Sequence, residues 1–428
     1  MRRNWLLSVP FVLALVLAGC KIDSINYFPP RPAQVRVINL LPGIPSLDVT
    51  VGSTKLWSNL TFQSWTGYQT LDNVVQQVTV TISGSTTPLL QSSFGLAGEQ
   101  PYTLTISGTP TQPVMNLLQE VATPPSNGSI LVSAFNAASN AASIDIYAVP
   151  PGANIANIAP NFFGLGYNGA TFNVSLSPGT YQFIATLSAT KTVIYDSSPI
   201  TLQSNSGVYF VPYSAGSSLL VNAALLQSKG AANLQNSRLA QVKMLHAAPQ
   251  TGAVDLLQNG VSVIANETYS GFGGYVAVPA GAAQVMSFVD TGTTTPALAA
   301  VTATLAPATD QTFVMTGFPA ALQAVYLSDL NVVAAGGTAR VRFINAAPNA
   351  GPMDIAVTST SVVTGLASPT ASPYISVNQN TVTFTFTDST TGATLLTLPN
   401  IVLTSPQTYS IYVIGTAGAL TGVVTRDF

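Results

Sequence analysis

The sequence predicts an all-β protein of four tandem β-sandwich domains, of the immunoglobulin-like or prealbumin-like kind. Two observations lead to this prediction. One strand-turn-strand motif occurs four times in the 428 residues, and the segments after each copy alternate apolar and polar residues with a period of two. An internal repeat of fixed pattern defines the architecture before other evidence is considered. A period of two indicates strands with one buried face.

The repeated motif is clearest in RVRFINAAPNAGPMDIAV, which begins at Arg340. The other copies are QVRVINLLPGIPSLDVTV, ILVSAFNAASNAASIDIYAV and QVKMLHAAPQTGAVDLLQ. In each copy an apolar strand ends in Asn or His, and an Asp follows nine residues later between apolar neighbours. The pairs are Asn39 and Asp48, Asn136 and Asp145, His246 and Asp255, and Asn345 and Asp354.

The first two units have strand patterns at corresponding places. Unit one, residues 34–122, continues with LDVTVGSTKL, VVQQVTVTISGS and YTLTISG. Unit two, residues 129–227, continues with ATFNVSL, TYQFIATL and VYFVPYSAG. The Pro178-Gly179 pair between two of these strands suits the centre of a type II turn, because proline fixes φ and glycine permits a positive φ.

The last two units repeat this order. Unit three, residues 239–332, contains GGYVAVPAGAAQVMSF and QTFVMTG, and unit four, residues 338–428, contains YISVNQNTVTFTF and QTYSIYVIG. At the start of unit four, Arg340 and Arg342 alternate with Val341 and Phe343, which predicts one solvent-facing side. Short polar or glycine-rich linkers separate the units. We therefore expect four independent sandwiches, arranged like beads on a string.

The composition limits the function. Charged residues make up 7% of the chain, against a typical value of about 25%. So few Lys and Arg cannot form the basic stripe that nucleic-acid binding requires, and nucleic acid is excluded as a partner. Hydrophobic residues make up 47% of the chain, which is typical of a folded protein and not of a disordered one.

The amino terminus resembles a bacterial lipoprotein signal. Basic residues at positions 2 and 3 precede an apolar run, which ends in Leu17, Ala18, Gly19 and Cys20. The resemblance implies that residues 1–19 are a signal peptide, recognised at Leu17-Ala18-Gly19 and cleaved before Cys20. It also implies that Cys20 carries lipid that anchors the chain to the membrane. An ordinary signal peptide is the alternative, while the run is shorter than the ~20 residues of a spanning helix.

Cys20 is the only cysteine, so the folded part has no disulfide, cysteine metal site or catalytic thiol. Residues 20–33 form the lipidated cysteine and a proline-rich tether that we expect to be stiff and extended. Lys21 follows the cysteine, and not the Asp that retains some lipoproteins at the inner membrane. We therefore expect an outer-membrane location, on the periplasmic or the surface face.

The repeats resemble the DUF4397 domain, whose name means a domain of unknown function. The resemblance lies in the V-R-hydrophobic-hydrophobic-[NH]-A-A/S-P pattern, the nine-residue step to Asp and the later P-x-G and Y-T-hydrophobic motifs. Units three and four match best, whereas Leu40-Leu41 and Ser139 depart from the pattern. The resemblance implies exported, often anchored, β-rich proteins with no established activity.

The repeated polar residues offer little chemistry. A hard cation such as calcium takes about 6–8 oxygen ligands, but each motif supplies one Asp. We interpret each Asp as an acceptor for backbone amides in the preceding turn. His246 is the only histidine, which excludes a histidine triad or metal cluster; the Asn at this position elsewhere indicates a shared hydrogen-bonding role. No catalytic residue, metal or cofactor is predicted.

Aromatic residues give the one weak binding signal. Trp57 and Trp65 are the only tryptophans after the signal peptide, and Tyr68 lies close by. Such rings either stack on sugars or fill the core, and aromatic residues in corresponding segments of units two and three favour the core. The predicted function is a lipid-anchored, non-enzymatic envelope scaffold in adhesion, structure or interaction, with an envelope protein or polysaccharide as partner. The alternative is polysaccharide binding through these three residues.

Overall fold

The computed structural model describes residues 31–171 and 173–428. The predicted signal peptide, its predicted recognition residues Leu17, Ala18 and Gly19, and the predicted lipidation site Cys20 lie outside these ranges. In the described ranges the only helical element is a 3-10 turn, Ile155–Asn157. None of the helical structure described there is long and apolar enough to cross a membrane. The prediction of an all-β chain of tandem sandwiches is confirmed.

The first two units contain nineteen strands. Unit one contains β1 (Ala33–Asn39), β2 (Leu47–Val51), β3 (Thr54–Leu60), β4 (Ser64–Trp65), β5 (Gln69–Leu71), β6 (Val75–Ile82), β7 (Pro88–Gly95), β8 (Pro101–Thr109) and β9 (Gln112–Gln119). Unit two contains β10 (Ile130–Ala134), β11 (Ser143–Val149), β12 (Phe162–Gly166), β13 (Val174–Leu176), β14 (Gly179–Leu187), β15 (Val193–Asp196), β16 (Ile200–Leu202), β17 (Ser206–Ser214), β18 (Val221–Gln227) and β19 (Ala232–Gln235). Strand β19 lies in a segment predicted to be a linker; it forms because it pairs with β18.

The last two units contain seventeen strands. Unit three contains β20 (Leu239–His246), β21 (Val254–Gln258), β22 (Val261–Glu267), β23 (Phe272–Pro279), β24 (Gly281–Asp290), β25 (Ala299–Leu305), β26 (Asp310–Thr316) and β27 (Gln323–Asp329). Unit four contains β28 (Thr338–Asn345), β29 (Met353–Val357), β30 (Thr360–Leu366), β31 (Thr370–Ala371), β32 (Ile375–Asn378), β33 (Asn380–Asp388), β34 (Thr394–Leu403), β35 (Thr408–Thr416) and β36 (Ala419–Arg426).

Each unit packs two sheets face to face. One sheet contains the first strand of the repeat, and the other contains the strand with the motif Asp. The first strand pairs in parallel with the penultimate long strand of its sheet, as β1 does with β8 and β28 with β35. The remaining neighbours shown for these strands are antiparallel. This connection places the Asn or His at the end of one sheet opposite the Asp of the other.

Alternating apolar residues from both sheets fill each sandwich core. In unit four, Phe343 on β28 contacts Phe384 and Phe386 on β33, with ring centroids 5.3 and 6.0 Å apart in edge-to-face geometry. Such aromatic pairs contribute about 0.5–1.5 kcal/mol beyond the area that they bury. All three rings are fully buried, so the period-two pattern did identify the core face.

Three of the four units close with a hairpin that requires glycine. Gly108, Gly317 and Gly415 have φ values of +96°, +100° and +106°. A Cβ added to any of them would lie 2.3–2.4 Å from a backbone oxygen across the turn. Only glycine fits this close approach, which explains why the closing motifs YTLTISG, QTFVMTG and QTYSIYVIG all end in this residue.

The units are packed in pairs, so the expectation of beads on a string is wrong. Arg342 was predicted to face solvent, but only 3% of its surface is exposed. The outer face of its sheet packs on the corresponding sheet of unit three in a second core that includes Leu245, Val314, Ile344 and Tyr412. The first strand of the repeat packs on both sides. Its inner face lies in the sandwich core, and its outer face carries apolar residues and buried charges that contact the neighbouring unit.

Units one and two pack through the same sheets. Their shared core includes Ile38 and Leu118 from unit one and Phe135, Val211 and Tyr213 from unit two. Ile38 and Phe135 occupy the same repeat position as Leu245 and Ile344, one residue before the motif Asn or His. One position in the repeat therefore forms the inter-unit core in both pairs.

Ile344 distinguishes packed pairs from independent units. We expect Ile344→Asp to lower the free energy of unfolding by about 3–5 kcal/mol, the cost of an uncompensated buried charge. The matched control is Val402→Asp, because Val402 is an apolar strand residue of the same unit with 60% exposure; it should change stability by less than about 0.5 kcal/mol. Urea unfolding followed by far-UV circular dichroism measures both. Equal, small effects would contradict the paired arrangement.

Candidate functional site

The motif Asp lies opposite a β-bulge in every unit. In unit one, Leu47 pairs with Leu60 and Val49 with Trp57, so two residues of β3 face the single residue Asp48. The same register shift brackets Asp145, Asp255 and Asp354. The second bulge residue has a positive φ each time, between +55° and +64°, and is Asn59, Gly164, Asn266 or Gly365. Asn and Gly are the residues that adopt this conformation most readily.

Each Asp binds the amide of this positive-φ residue. The Oδ1 atoms accept from the backbone N–H groups of Asn59, Gly164, Asn266 and Gly365 at 2.7–2.9 Å. A second donor comes from the loop after the strand on the other side of the Asp strand, for example the Ser83 hydroxyl, which follows β6 and donates to Asp48 at 2.6 Å. Our interpretation placed the donors in the preceding turn, which is wrong. The bulge exposes an unpaired amide, and a carboxylate is the group that satisfies it.

The motif Asn binds the same bulge from the other sheet. The Asn39 Nδ2 donates to the carbonyl of Leu60 at 2.9 Å, directly after the bulge residue Asn59. Asn136 and Asn345 donate to Leu165 and Leu366 at 3.1 Å. We call this pair of contacts, amide to Asp and next carbonyl to Asn, the bulge clamp. It joins the two sheets of units one, two and four and explains the nine-residue spacing in these units.

His246 replaces Asn with two of the same bonds. Its Nδ1 accepts from the backbone N–H of Ala248, two residues later, at 3.3 Å. In the other units the Asn Oδ1 accepts from the backbone N–H at the same position. Its Nε2 lies 2.9 Å from the Gly252 carbonyl, in the loop that Asn136 and Asn345 also contact. The ring is fully buried. These contacts require the neutral ring with its proton on Nε2.

The bulge clamp has little capacity for chemistry. The Lys55 ammonium, 2.6 Å from Asp48, lowers the pKa of that carboxyl to about 2, with help from Ser83 and the Asn59 amide. The carboxylate is therefore ionised and fully occupied by donors. Within residues 31–171 and 173–428 no group of three or more His, Cys, Asp and Glu side chains has an arrangement that would hold a metal ion.

A second constellation, which the sequence analysis missed, lies between units one and two. Arg36 is 1% exposed. Its guanidinium forms an ion pair with Glu120 at 3.0 Å and donates to the Gln227 and Gly230 carbonyls of unit two. The Tyr68 ring lies 4.8 Å from the guanidinium, and its hydroxyl donates to Glu120 at 2.7 Å. We call this set, a cation, a tyrosine and an acid, the joint triad.

Units three and four exchange the ions of their joint triads. Lys243 of unit three binds Asp427 of unit four, and Arg342 of unit four binds Asp329 of unit three. The Tyr275 ring lies 4.8 Å from the Lys243 ammonium, and the Tyr374 ring covers Arg342 at 4.9 Å. Each unit contributes one cation and one acid to the joint, as in an isologous contact, where the same surface is used on both sides.

Among the described residues of unit two there is no joint triad. The residues in the same registers are Ser133, Asn173 and Ser228, in place of cation, tyrosine and acid. Unit one accordingly keeps its own acid, and Arg36 bonds the backbone of unit two. The charges of the joint triads balance in both pairs of units. Units one and two bury one cation with one acid, and units three and four bury two cations with two acids. Buried charges require such partners, and the shared repeat position of Arg36, Lys243 and Arg342 was the signal in the sequence.

The aromatic residues of unit one do not form one surface. Trp57 is 7% exposed and belongs to the core of unit one. Tyr68 is part of the joint triad. Trp65 is 43% exposed, and it alone of the three presents a large ring face to solvent.

Comparisons with known proteins identify a family. A family model described as "Domain of unknown function (DUF4397)" matches residues 33–147 and 240–356, more than half of the chain. Each match covers one unit and the first two strands of the next. No curated protein matches the sequence.

Solved structures give only distant likenesses. The CBMbc module (family CBM26) of Eubacterium rectale Amy13K, in complex with maltoheptaose, is 11% identical, with 47% of this chain and 97% of that chain covered and a TM-score of 0.17. A protein described as a putative cell adhesion protein from Bacteroides uniformis is 10% identical, with 71% and 98% covered and a TM-score of 0.16. Scores this low carry no argument about function.

His246 makes the stability of unit three depend on pH, through the loop that its ring holds. Burial lowers the pKa of His246 below its ordinary value, which is about 6.5. The folded state therefore binds fewer protons than the unfolded state, and the stabilising contribution is present above about pH 6.5 and lost as the pH falls below it. We expect His246→Asn to remove this pH dependence, since Asn fills the position in the other units.

The matched substitution is His246→Ala, which leaves the Ala248 amide and the Gly252 carbonyl without their side-chain partner. We expect it to cost about 1–3 kcal/mol at pH 7.5, whereas His246→Asn should cost less than about 1 kcal/mol. Urea midpoints between pH 7.5 and 5 measure both effects. An unchanged pH slope in the Asn variant would contradict the role given to this histidine.

Proposed function

This chain belongs to the DUF4397 family, and we propose that it is a lipid-anchored envelope protein that acts as a non-enzymatic interaction scaffold. The observation that carries the proposal is the use of its charged side chains. Arg36, Lys243, Arg342 and their acidic partners lie between the units, and the motif Asp residues hold bulges. These charged side chains hold the units in fixed positions relative to one another, which is what a scaffold requires.

The absence of enzymatic activity is part of this proposal. General acid–base catalysis needs titratable groups that reach a substrate with pKa values near the working pH. The acids of the joint triads, Glu120, Asp329 and Asp427, are at most 6% exposed. Burial and the neighbouring Asp329 raise the pKa of the Tyr275 hydroxyl far above neutrality. Such groups support packing and not turnover.

The anchor and the location rest on the amino-terminal residues. Leu17-Ala18-Gly19-Cys20 supports cleavage before Cys20 and lipidation of that cysteine. Several acyl chains on one residue anchor a protein firmly, whereas one chain binds only marginally. Lys21 supports the outer membrane as the site, and the sandwiches then extend from one membrane face toward an envelope partner.

Lipidation is tested by Cys20→Ser in a two-membrane bacterium. We expect the wild-type chain to incorporate radiolabelled palmitate and to fractionate with the outer membrane. Cys20→Ser should incorporate none, because the chain has no other cysteine to modify. The matched control Lys21→Asp should keep the label and move toward the inner membrane. Labelling of the Ser variant, or a soluble wild-type protein, would sink the anchor proposal.

The alternative function, polysaccharide binding through unit one, is favoured only by the exposure of Trp65. The variant Trp57→Phe leaves Trp65 as the one tryptophan after the signal peptide. If unit one binds glycans, its emission should shift saturably on titration with envelope and extracellular polysaccharides, and Trp65→Ala should abolish binding. A flat response from the folded variant would remove this alternative and leave the scaffold proposal untouched.

A further inference from the structure

A cleft between units two and three has the features of a ligand site. Its volume is about 500 Å³, within the usual range of about 300–1,000 Å³ for small-molecule sites. Both units and the segment that connects them form the walls. The residues that define its chemistry are Asp196, Ser198, Asn236, Arg238, Pro279 and Pro307.

The floor of the cleft is fixed by backbone hydrogen bonds. Ser197 and Ser237 form an antiparallel bridge between unit two and the connecting segment. The Arg238 N–H donates to the Asp196 carbonyl at 2.7 Å, and the Ala280 N–H donates to the Arg238 carbonyl at 2.7 Å. The two units therefore present their residues at a hydrogen-bonded junction, and little ordering is needed on binding.

A separated ion pair lies at this junction. Arg238 Nη1 is 3.8 Å from Asp196 Oδ2, which is longer than a hydrogen bond. The other carboxylate oxygen accepts from the Gln182 side chain, which orients it. The guanidinium is 53% exposed and the carboxylate 18%, so a ligand hydroxyl has room to accept from Arg238 and donate to Asp196.

The remaining walls supply further polar groups and an apolar face. Ser198 and Asn236 are exposed. Neither side chain has a hydrogen-bond partner among the described residues. On the unit-three side, Pro307 stands with Pro279 and Ala280 and provides the apolar face. Planar polar side chains beside an apolar surface match a sugar ring, which has hydroxyls at its edge and C–H groups on its faces.

We propose that this cleft binds a neutral saccharide. The charges decide the class: Arg238 and Asp196 cancel, so neither an anion nor a cation gains net attraction, whereas hydroxyls use both partners. An apolar ligand would leave the guanidinium and the Oδ2 atom of Asp196 without hydrogen bonds, at a cost. The site deepens the proposed interaction role, on which it rests, by naming the ligand class. It is separate from Trp65, which lies in unit one.

The test uses the full chain, purified in detergent, and isothermal titration calorimetry. The neutral probes are maltoheptaose, cellohexaose and mannohexaose, the acidic probe is hexagalacturonate, and a printed array of neutral and acidic glycans widens the set. We expect at least one neutral glycan to bind. Arg238→Ala should weaken that binding by about tenfold or more, because hydrogen bonds to a charged group are lost. Asn236→Ala provides a second variant at an exposed position.

The matched control is Arg31→Ala. Arg31 also forms an exposed ion pair, with Glu99 in unit one at 3.2 Å and with side-chain exposures of 59% and 63%. Arg31→Ala should leave the affinity for the neutral glycan unchanged. The proposal is overturned if no neutral glycan binds, if only acidic glycans bind, or if binding survives Arg238→Ala and Asn236→Ala or depends on Trp65. None of these results affects palmitate labelling. Failure of the anchored-scaffold proposal is therefore detected by the labelling experiment, and failure of the cleft proposal by calorimetry.

Discussion

The bulge clamp is the constraint on which the sandwiches of units one, two and four depend. A β-bulge leaves an amide and a carbonyl unpaired, and buried backbone groups must find partners. The clamp supplies both, an Asp from one sheet and an Asn from the other, as Asp48 and Asn39 do for Asn59 and Leu60. The Asn and the Asp lie on successive strands, and both must reach the same bulge. The loop between these strands must therefore have the same length in each clamp. The repeat thus conserves a distance along the chain in order to join two sheets.

The joint triads act one level higher, between units. A cation that is 0–3% exposed, as Arg36, Lys243 and Arg342 are, is tolerated only beside an acid and further acceptors. The exchange of Lys243 and Arg342 between units three and four fixes the register of the two sheets as well as their attraction. Unit two has small neutral residues at all three positions, which is consistent only with a joint whose charge is already balanced by unit one.

The junction between units two and three takes its geometry from backbone hydrogen bonds that the connecting segment makes with both units. The Asp196–Arg238 pair belongs to neither unit alone, because β15 supplies the carboxylate and the connecting segment supplies the guanidinium. A chain of freely moving sandwiches would not hold these groups 3.8 Å apart beside an apolar wall.

The sequence by itself determined the fold class, the fourfold repeat, the Asn39-to-Asp48 spacing and the core side of strands such as β28, because period and turn chemistry are local properties. Only the tertiary structure decided which amide Asp48 binds, that Arg342 is buried, and that Trp57 packs inside while Trp65 does not. The contacts of Asp48 and Trp57 depend on the register of strands within unit one, and the burial of Arg342 depends on which outward faces meet. An alternating strand reads the same whether its second face meets water or another sheet, so the pattern cannot distinguish the two.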